Sequence, residues 1–288
     1  RTVWTLPALV GNGTMTAEAG AVLSLSVERG RSILLAGSRG AGKTTLLGAL
    51  LWELPPAVRT VVIEDTPELP VEPLQEHHRD VQQLLTSTDD SELTPAEALR
   101  TALRLGDGAI AVGEVRSEEA AVLYEAMRVG ANSEAVLGTI HGDGGPAVYE
   151  RVVEDLGVSS SSFGVTDLIV TGEITAAGQR RIRTIEEVVG GAQPAFEALF
   201  ERSEDGLEAT GKIERGNSRL VASLATPEES YADVREQLAA RKRLLDGLAA
   251  RGRTGPDAVT VARETRSAAN GGKQTVEQAP RTIPGAEQ

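Results

Sequence analysis

Cysteine is absent from the 288 residues, which excludes a disulfide framework and any thiolate metal site and suits a reducing compartment. Aromatic residues make up only 3% of the chain, so the basic stripe interleaved with stacking rings that a single-stranded nucleic acid needs is missing. Lysine is rare as well, occurring only at Lys43, Lys212, Lys242 and Lys273, and the 29 basic residues are outnumbered by 42 acidic ones to give a net charge of -13. That charge repels phosphate backbones and anionic lipid, so no nucleic acid or membrane surface is expected as a direct partner, and a protein partner is. An acid excess spread along the chain, with arginine in place of lysine, keeps a protein soluble in concentrated salt and points to a halophilic source. No apolar run approaches the roughly 18 residues of a membrane span. The chain opens on Arg1 with neither an initiator Met nor a signal-peptide pattern, so a cytoplasmic location and a missing upstream region are expected.

What is present is a hydrophobic content of 40%, enough for a buried core in one or two domains of roughly 150 residues each. Short β-rich runs alternate with amphipathic helical runs, the pattern of an α/β protein with a parallel sheet covered by helices. Strands are expected at Ser32–Ala36, Thr60–Ile63, Ala109–Val112, Ala135–Ile140 and Asp167–Thr171, with an antiparallel partner at Arg180–Ile185 after the turn at Gly178. Thr94-Pro95-Ala96-Glu97 reads as a capping box with proline at the first helical position. Ser117 is expected to start a helix that Gly130 ends, and Pro146 one that Gly157 ends. The segments expected are a linker and leading helix over 1–30, the core over 31–190, a small helical extension over 191–263 with Val234, Leu238, Leu245 and Leu248 on one face, and a disordered polar tail over 264–288.

The chemistry concentrates where strands end. Gly37-Ser38-Arg39-Gly40-Ala41-Gly42-Lys43-Thr44 matches the phosphate-binding pattern G-x-x-x-x-G-K-[ST], between an apolar strand and a helix running to Trp52. In that setting the glycines let backbone N–H groups cradle phosphates at a helix N-terminus, Lys43 reaches the β/γ oxygens of ATP, and Thr44 offers its hydroxyl to Mg²⁺. The plainer reading is a glycine-rich turn joining strand to helix. Hydrolysis also requires carboxylates to orient water and hold the metal's shell. Glu64 and Asp65 close one apolar strand and Glu114 follows another, both on the edge where open α/β sheets bind ligands. Their alternative role is to cap the next turn. His141 ends the following strand, either to sense a γ-phosphate or as a polar surface residue. His77 and His78 read as surface residues.

These four segments, in this order, resemble the type II/type IV secretion and pilus-assembly traffic ATPases, and most of all their archaeal branch. Gly37 to Thr44 resembles the Walker A loop, Ile63-Glu64-Asp65-Thr66-Pro67-Glu68 the Asp box, Val112-Gly113-Glu114-Val115-Arg116 the Walker B segment, and Gly138-Thr139-Ile140-His141 the His box. The resemblance covers about Leu9 to Val189, and Ser218 to Arg253 is similar to an archaeal C-terminal extension. It implies a RecA-like P-loop motor domain of a cytoplasmic homo-hexamer, held at the inner face of the membrane by an inner-membrane platform protein. Nucleotide contacts are implied at Gly37, Ser38, Arg39, Gly40, Ala41, Gly42, Lys43, Thr44 and Thr45. Glu64 is implied to activate water, Glu114 to support the metal, and His141 to meet the γ-phosphate. Arg104 and Arg116 match family arginines that either stabilise transition-state charge or pair at the subunit interface.

The chain departs from the family at Gly106-Asp107-Gly108, where Arg-Pro-Asp is common, and at Gly130-Ala131, where a Gly-His pair is common. A paralogue that holds ATP without turning it over is therefore the alternative to an active motor, and a helicase-like motor conflicts with the acidic charge. For the tail, deletion of residues 264–288 is expected to leave the melting temperature and ATP affinity unchanged, because so polar a segment cannot offset its ordering entropy by burial. A large drop in melting temperature on calorimetry would show that it docks.

Overall fold

The computed structural model describes residues 2–87, 93–106, 108–129, 134–191 and 193–261. Its centre is a nine-stranded mixed sheet in the order β3-β2-β4-β5-β1-β6-β7-β8-β9. The parallel part comprises β1 (Ser32–Gly37), β2 (Thr60–Glu64), β3 (Val81–Leu85), β4 (Ala109–Val112), β5 (Val136–Ile140) and β6 (Leu168–Ile174). Strands β7 (Arg180–Val189), β8 (Ala195–Ser203) and β9 (Gly206–Ala209) continue it antiparallel. This is the expected α/β architecture of RecA-like P-loop proteins. Among the described residues no helix is long and apolar enough to cross a membrane.

Successive side chains of a strand point to opposite faces, so a sheet covered on both sides needs apolar residues at every position. Strand β1 shows the consequence. Ile33 and Leu35 enter one hydrophobic core and Leu34 and Ala36 the other, and β2 splits likewise, with Val62 on one side and Val61 and Ile63 on the other. The first face carries α1 (Leu6–Gly11), α2 (Ala17–Glu28), α3 (Lys43–Leu51), α4 (Val71–Glu76), α9 (Arg219–Leu224) and α10 (Tyr231–Ala250). The second carries α5 (Pro95–Arg104), α6 (Glu119–Val129), α7 (Gly145–Glu150), which runs into a π-helical turn at Arg151–Asp155, and α8 (Ser160–Phe163). The capping box at Thr94 forms as the spacing requires, and Ser230 with Asp233 forms a second one that starts α10.

Several expectations change. The expected helical extension over 191–263 begins with the β8–β9 hairpin, where Phe196, Ala198 and Phe200 recur at every second position, the period of a strand rather than a helix. Its helix α10 is no appendage, since Val234, Leu238 and Leu245 join the same core as α1, α2 and the sheet. The leading region holds two helices, and α2 is apolar or small almost all round because it is buried among α1, α3 and α10. Strand β3, Val-Gln-Gln-Leu-Leu, is an addition to the expected strands, and its pattern is weak because an edge strand keeps polar residues. His77 is half-buried rather than a surface residue, set edge-on to Trp52 at 5.1 Å with its Nδ1 on the Pro73 carbonyl. Asp107, Gly130, Ala131 and the tail over 264–288 lie outside the described residues.

Arg241, 5% exposed, pins α10 down. Its guanidinium donates to Ser24 Oγ at 2.9 Å and Glu28 Oε1 at 2.6 Å, and the Ser24 hydroxyl donates in turn to Glu53 Oε2 at 2.6 Å, in the turn after α3. Removing one partner of a buried charged network leaves the others uncompensated, a loss of about 3 kcal/mol, whereas an exposed pair such as Lys242–Glu18 contributes under about 1 kcal/mol. Arg241→Ala is therefore expected to cut the unfolding free energy about threefold more than Lys242→Ala in urea titrations.

Candidate active site

Parallel pairing sets β2, β4, β5 and β1 side by side with their carboxyl ends on one edge. The register places Ile63 beside Val112, Val112 beside Gly138, and Ala36 beside Ile140, so the residues that follow each strand emerge together. The ladder even runs past the strand ends, with Gly113 N–H on the Ile63 carbonyl at 2.7 Å and Val115 N–H on the Thr139 carbonyl at 2.8 Å. Thr139 Oγ1 donates to the Gly113 carbonyl across the same gap at 2.5 Å. Glu64, Glu114 and His141 reach a common cleft for this reason.

Gly37 turns the chain out of β1 with φ 142°, and a Cβ there would lie 2.5 Å from the Gly172 carbonyl oxygen, so only glycine lets the loop start this close to β6. The loop closes at Gly42, left-handed at φ 94°, which caps α3 without a side-chain bond and leaves its first N–H groups free for an anion. Lys43 Nζ donates to the carbonyls of Gly37 and Ser38, each at 3.0 Å. Desolvation lowers the proton affinity of this ammonium, and the negative charge of Glu114 across the cleft opposes that shift.

A cleft of about 660 Å³ is walled on one side by Arg39, Gly40, Gly42, Lys43, Thr44 and Thr45, and on the other by Glu64, Glu114, Arg116 and His141. Glu114 is its electrostatic centre. Its carboxylate takes a short hydrogen bond from Arg116 on Oε2 and contacts His141 Nε2 at 2.9 Å on Oε1. Burial alone would raise its proton affinity, but the Arg116 bond and charge, with His141 and Lys43, together hold it below the usual carboxylate range. Arg116 is in turn held above its ordinary value, first by its bond to Glu114. It also reaches Asp65 at 3.0 Å.

Glu64 is placed differently from the water-facing group expected of it. It is 4% exposed, and its Oε2 accepts the N–H groups of Glu68 at 2.9 Å and Leu69 at 3.1 Å while Oε1 accepts Gln83 Nε2 at 2.7 Å. Both oxygens are engaged, Oε2 with the loop after β2 and Oε1 with Gln83 of the edge strand β3. Arg104, at the end of α5, is exposed and does not line the cleft of its own chain. Ala41 lies behind the loop, lining a second cavity of about 320 Å³ with Trp4, Leu9, Leu46, Val170 and Ile182. Arg180 was not legible as a site residue, yet its Nε donates to the Gly40 carbonyl at 2.8 Å and it borders both cavities. No local pattern ties residues 140 positions apart, so only the pairing of β6 with β7 brings it there.

A phosphate-binding loop on a parallel sheet, faced by strand-end carboxylates and a histidine, defines the class of P-loop α/β proteins. The family model described as Type II/IV secretion system protein matches residues 5–245, and the chain belongs to that family. It is 31% identical to an uncharacterized protein of Methanocaldococcus jannaschii over 266 residues, 84% of this chain and 45% of that protein. It is 39% identical to the type IV secretion system protein PtlH of Bordetella pertussis over 108 residues, 38% of this chain and 32% of that protein. The chain thus spans less than half of either relative. Among solved structures it is similar to the VirB11 ATPase of the Brucella suis type IV secretion system in complex with sulphate, at 24% identity and a TM-score of 0.47, covering 72% of this chain and 56% of that one.

The three bonds to Glu64 yield a direct test. A glutamine there must turn N–H groups toward existing donors on one side, so Glu64→Gln is expected to lower stability by about 1–3 kcal/mol. Asp65→Asn, which alters only an exposed pair with Arg116, is expected to stay within about 1 kcal/mol of wild type. Equal melting curves by circular dichroism would show that Glu64 does not hold the loop.

Proposed function

We propose that this chain is the motor portion of an ATPase that converts ATP and water to ADP and phosphate and drives pilus-like assembly or protein secretion. The observation that carries the reading is the cleft itself, where a glycine cradle and Lys43 face Glu114, Arg116 and His141. The residues fit the ligands. The cradle is one that a Cβ on Gly37 would close, and the Thr44 hydroxyl and Glu114 carboxylate are hard oxygen donors suited to Mg²⁺. Among the described residues no cluster of three metal-binding side chains occurs, so the ion would rely on nucleotide oxygens for its remaining ligands. When bound, Mg²⁺ neutralises charge that develops on the transferring phosphoryl group.

The chain's own residues do the rest. Lys43 exchanges its bonds to the Gly37 and Ser38 carbonyls for β/γ-phosphate oxygens, and the backbone N–H groups of the loop and α3 hold the phosphates. The base and ribose take the 320 Å³ cavity beside Thr45, walled by Trp4 and Leu46. Glu114, kept ionised by Arg116, His141 and Lys43, faces the γ-phosphate end and orders water there. His141 reaches the γ-phosphate and reports its presence to Glu114 at 2.9 Å. Glu64 fixes the loop bearing Asp65, and Arg116, 56% exposed, is free enough to stabilise charge in its own cleft or a neighbour's. Membership of the secretion family supports assembly into a ring, with the hexamer, an inner-membrane platform protein and a cytoplasmic location as the proposed setting. The second reading, an ATP-holding subunit without turnover, is favoured by the engagement of both Glu64 oxygens.

Phosphate release decides between them. Lys43→Ala is expected to abolish turnover, and Glu114→Gln to keep ATP affinity while slowing hydrolysis about 10²-fold, since a group that orders water acts on the transition state. If Arg116 serves a neighbouring site, mixing Arg116→Ala with Lys43→Ala subunits restores activity to part of the interfaces. Wild-type turnover in Lys43→Ala overturns the site assignment, and binding without turnover in the intact protein selects the second reading.

A further inference from the structure

We propose that Arg183 and Glu186 of β7 are positioning residues that set His141 against Glu114. The inference rests on the hydrolytic reading of the cleft. His141 follows β5 directly, and its imidazole is 51% exposed, so packing around the ring does little to hold it. The loop that follows is instead tethered from β7. Arg183 Nη2 binds Asp143 Oδ1 at 2.8 Å, and Glu186 Oε2 accepts the Gly145 N–H at 2.8 Å. Beside them Phe196 of β8 presses on the same loop, and a Cβ on Gly145 would lie 2.3 Å from its ring. Asp143 and Gly145 are therefore fastened to β7, and His141 stands two residues before the first of them.

The sheet is irregular beside both residues. In the β6–β7 pairing Thr171 faces Thr184 and Gly172 faces Ile182, so Arg183 is the extra residue of a β-bulge. In the β7–β8 pairing Ile185 faces Phe200 and Glu186 faces Ala198, so Leu199 of β8 is the extra residue of a second irregularity, opposite Glu186. A bulge turns a side chain away from the regular alternation, and bulges gather next to active sites for that purpose. A strand needed only for its hydrogen bonds has no use for either. The deformation also leaves Arg183 Nε buried without a partner, a cost that the Asp143 contact offsets. Because Arg180 at the head of β7 holds the Gly40 carbonyl, one strand touches both the phosphate loop and the loop after His141.

The test separates position from stability and from the hydrolytic reading. The three histidines of the chain make the His141 imidazole easy to assign by nuclear magnetic resonance, using His141→Gln. In Glu186→Ala its signals are expected to move toward those in Glu114→Ala, where the contact is gone. Glu186→Gln, which keeps an oxygen for the Gly145 N–H, is expected to leave them in place. Asp143→Ala removes the other tether from a side chain 81% exposed, and a displacement in the same direction is expected. In turnover, Glu186→Ala is expected to lower kcat about tenfold with KM for ATP within about twofold, as for a group acting only on the transition state, and Glu186→Gln to recover kcat to within about threefold. In a His141→Ala background the Glu186→Ala change is expected to cost nothing further. Unmoved His141 signals in both Glu186→Ala and Asp143→Ala overturn the proposal, as do losses that multiply in the double variant. If the intact protein releases no phosphate, the hydrolytic reading falls on its own and the His141 signals still decide the positioning.

Discussion

The cleft depends on the register of one parallel ladder. Strands β2, β4, β5 and β1 end on one edge, and the carbonyls of Ile63 and Thr139 accept bonds from Gly113 and Val115 beyond the last paired residues. Side chains alternate with period 2, so a slip of one residue in any pair would turn Glu114 or His141 to the opposite face and place a charge in a core. The burial of both sheet faces makes such a slip costly. Register, function and core packing are thus one constraint.

Electrostatics then acts on what the ladder assembles. Glu114 stands among Arg116, His141 and Lys43, and each stabilises its charged form against the burial that opposes it. Arg116 divides itself between Glu114 and Asp65, which ties the loops after β4 and β2 together. The cleft carries fixed charges of both signs before any ligand arrives, the condition under which an active site stabilises developing charge without reorganising.

The acidic composition shows how the rest of the chain manages its charge. Where a cation must be buried, as at Arg79 and Arg241, arginine is used, and its planar guanidinium satisfies several acceptors at once. Arg79 closes the turn after α3 by donating to the carbonyls of Leu54 and Trp52. Arg241 joins α10 to α2 and, through Ser24, to Glu53 in that same turn. The helix that follows the phosphate loop is therefore anchored at its far end by residues from two distant parts of the chain.

Much of this was legible in the amino-acid sequence alone, because the signals are local. The spacing of Gly37, Gly42, Lys43 and Thr44 follows from backbone angles within one turn, and apolar runs of four to six residues mark β1, β2, β4 and β5 because both of their faces are buried. The carboxylates and the histidine at the strand ends could be placed on one edge by the same logic. Strand β3, the β8–β9 hairpin and the docking of α10 on α2 were not legible, since edge and half-exposed strands keep polar residues and a helix face does not name its partner. Contacts across large sequence separations were decided only by the tertiary structure: Arg180 on Gly40, Arg183 on Asp143, Glu186 on Gly145, and Gln83 on Glu64. A residue type and its neighbours along the chain state what a group can do, but whether a carboxylate faces water or holds a loop depends on which donors the fold brings within about 3 Å of it.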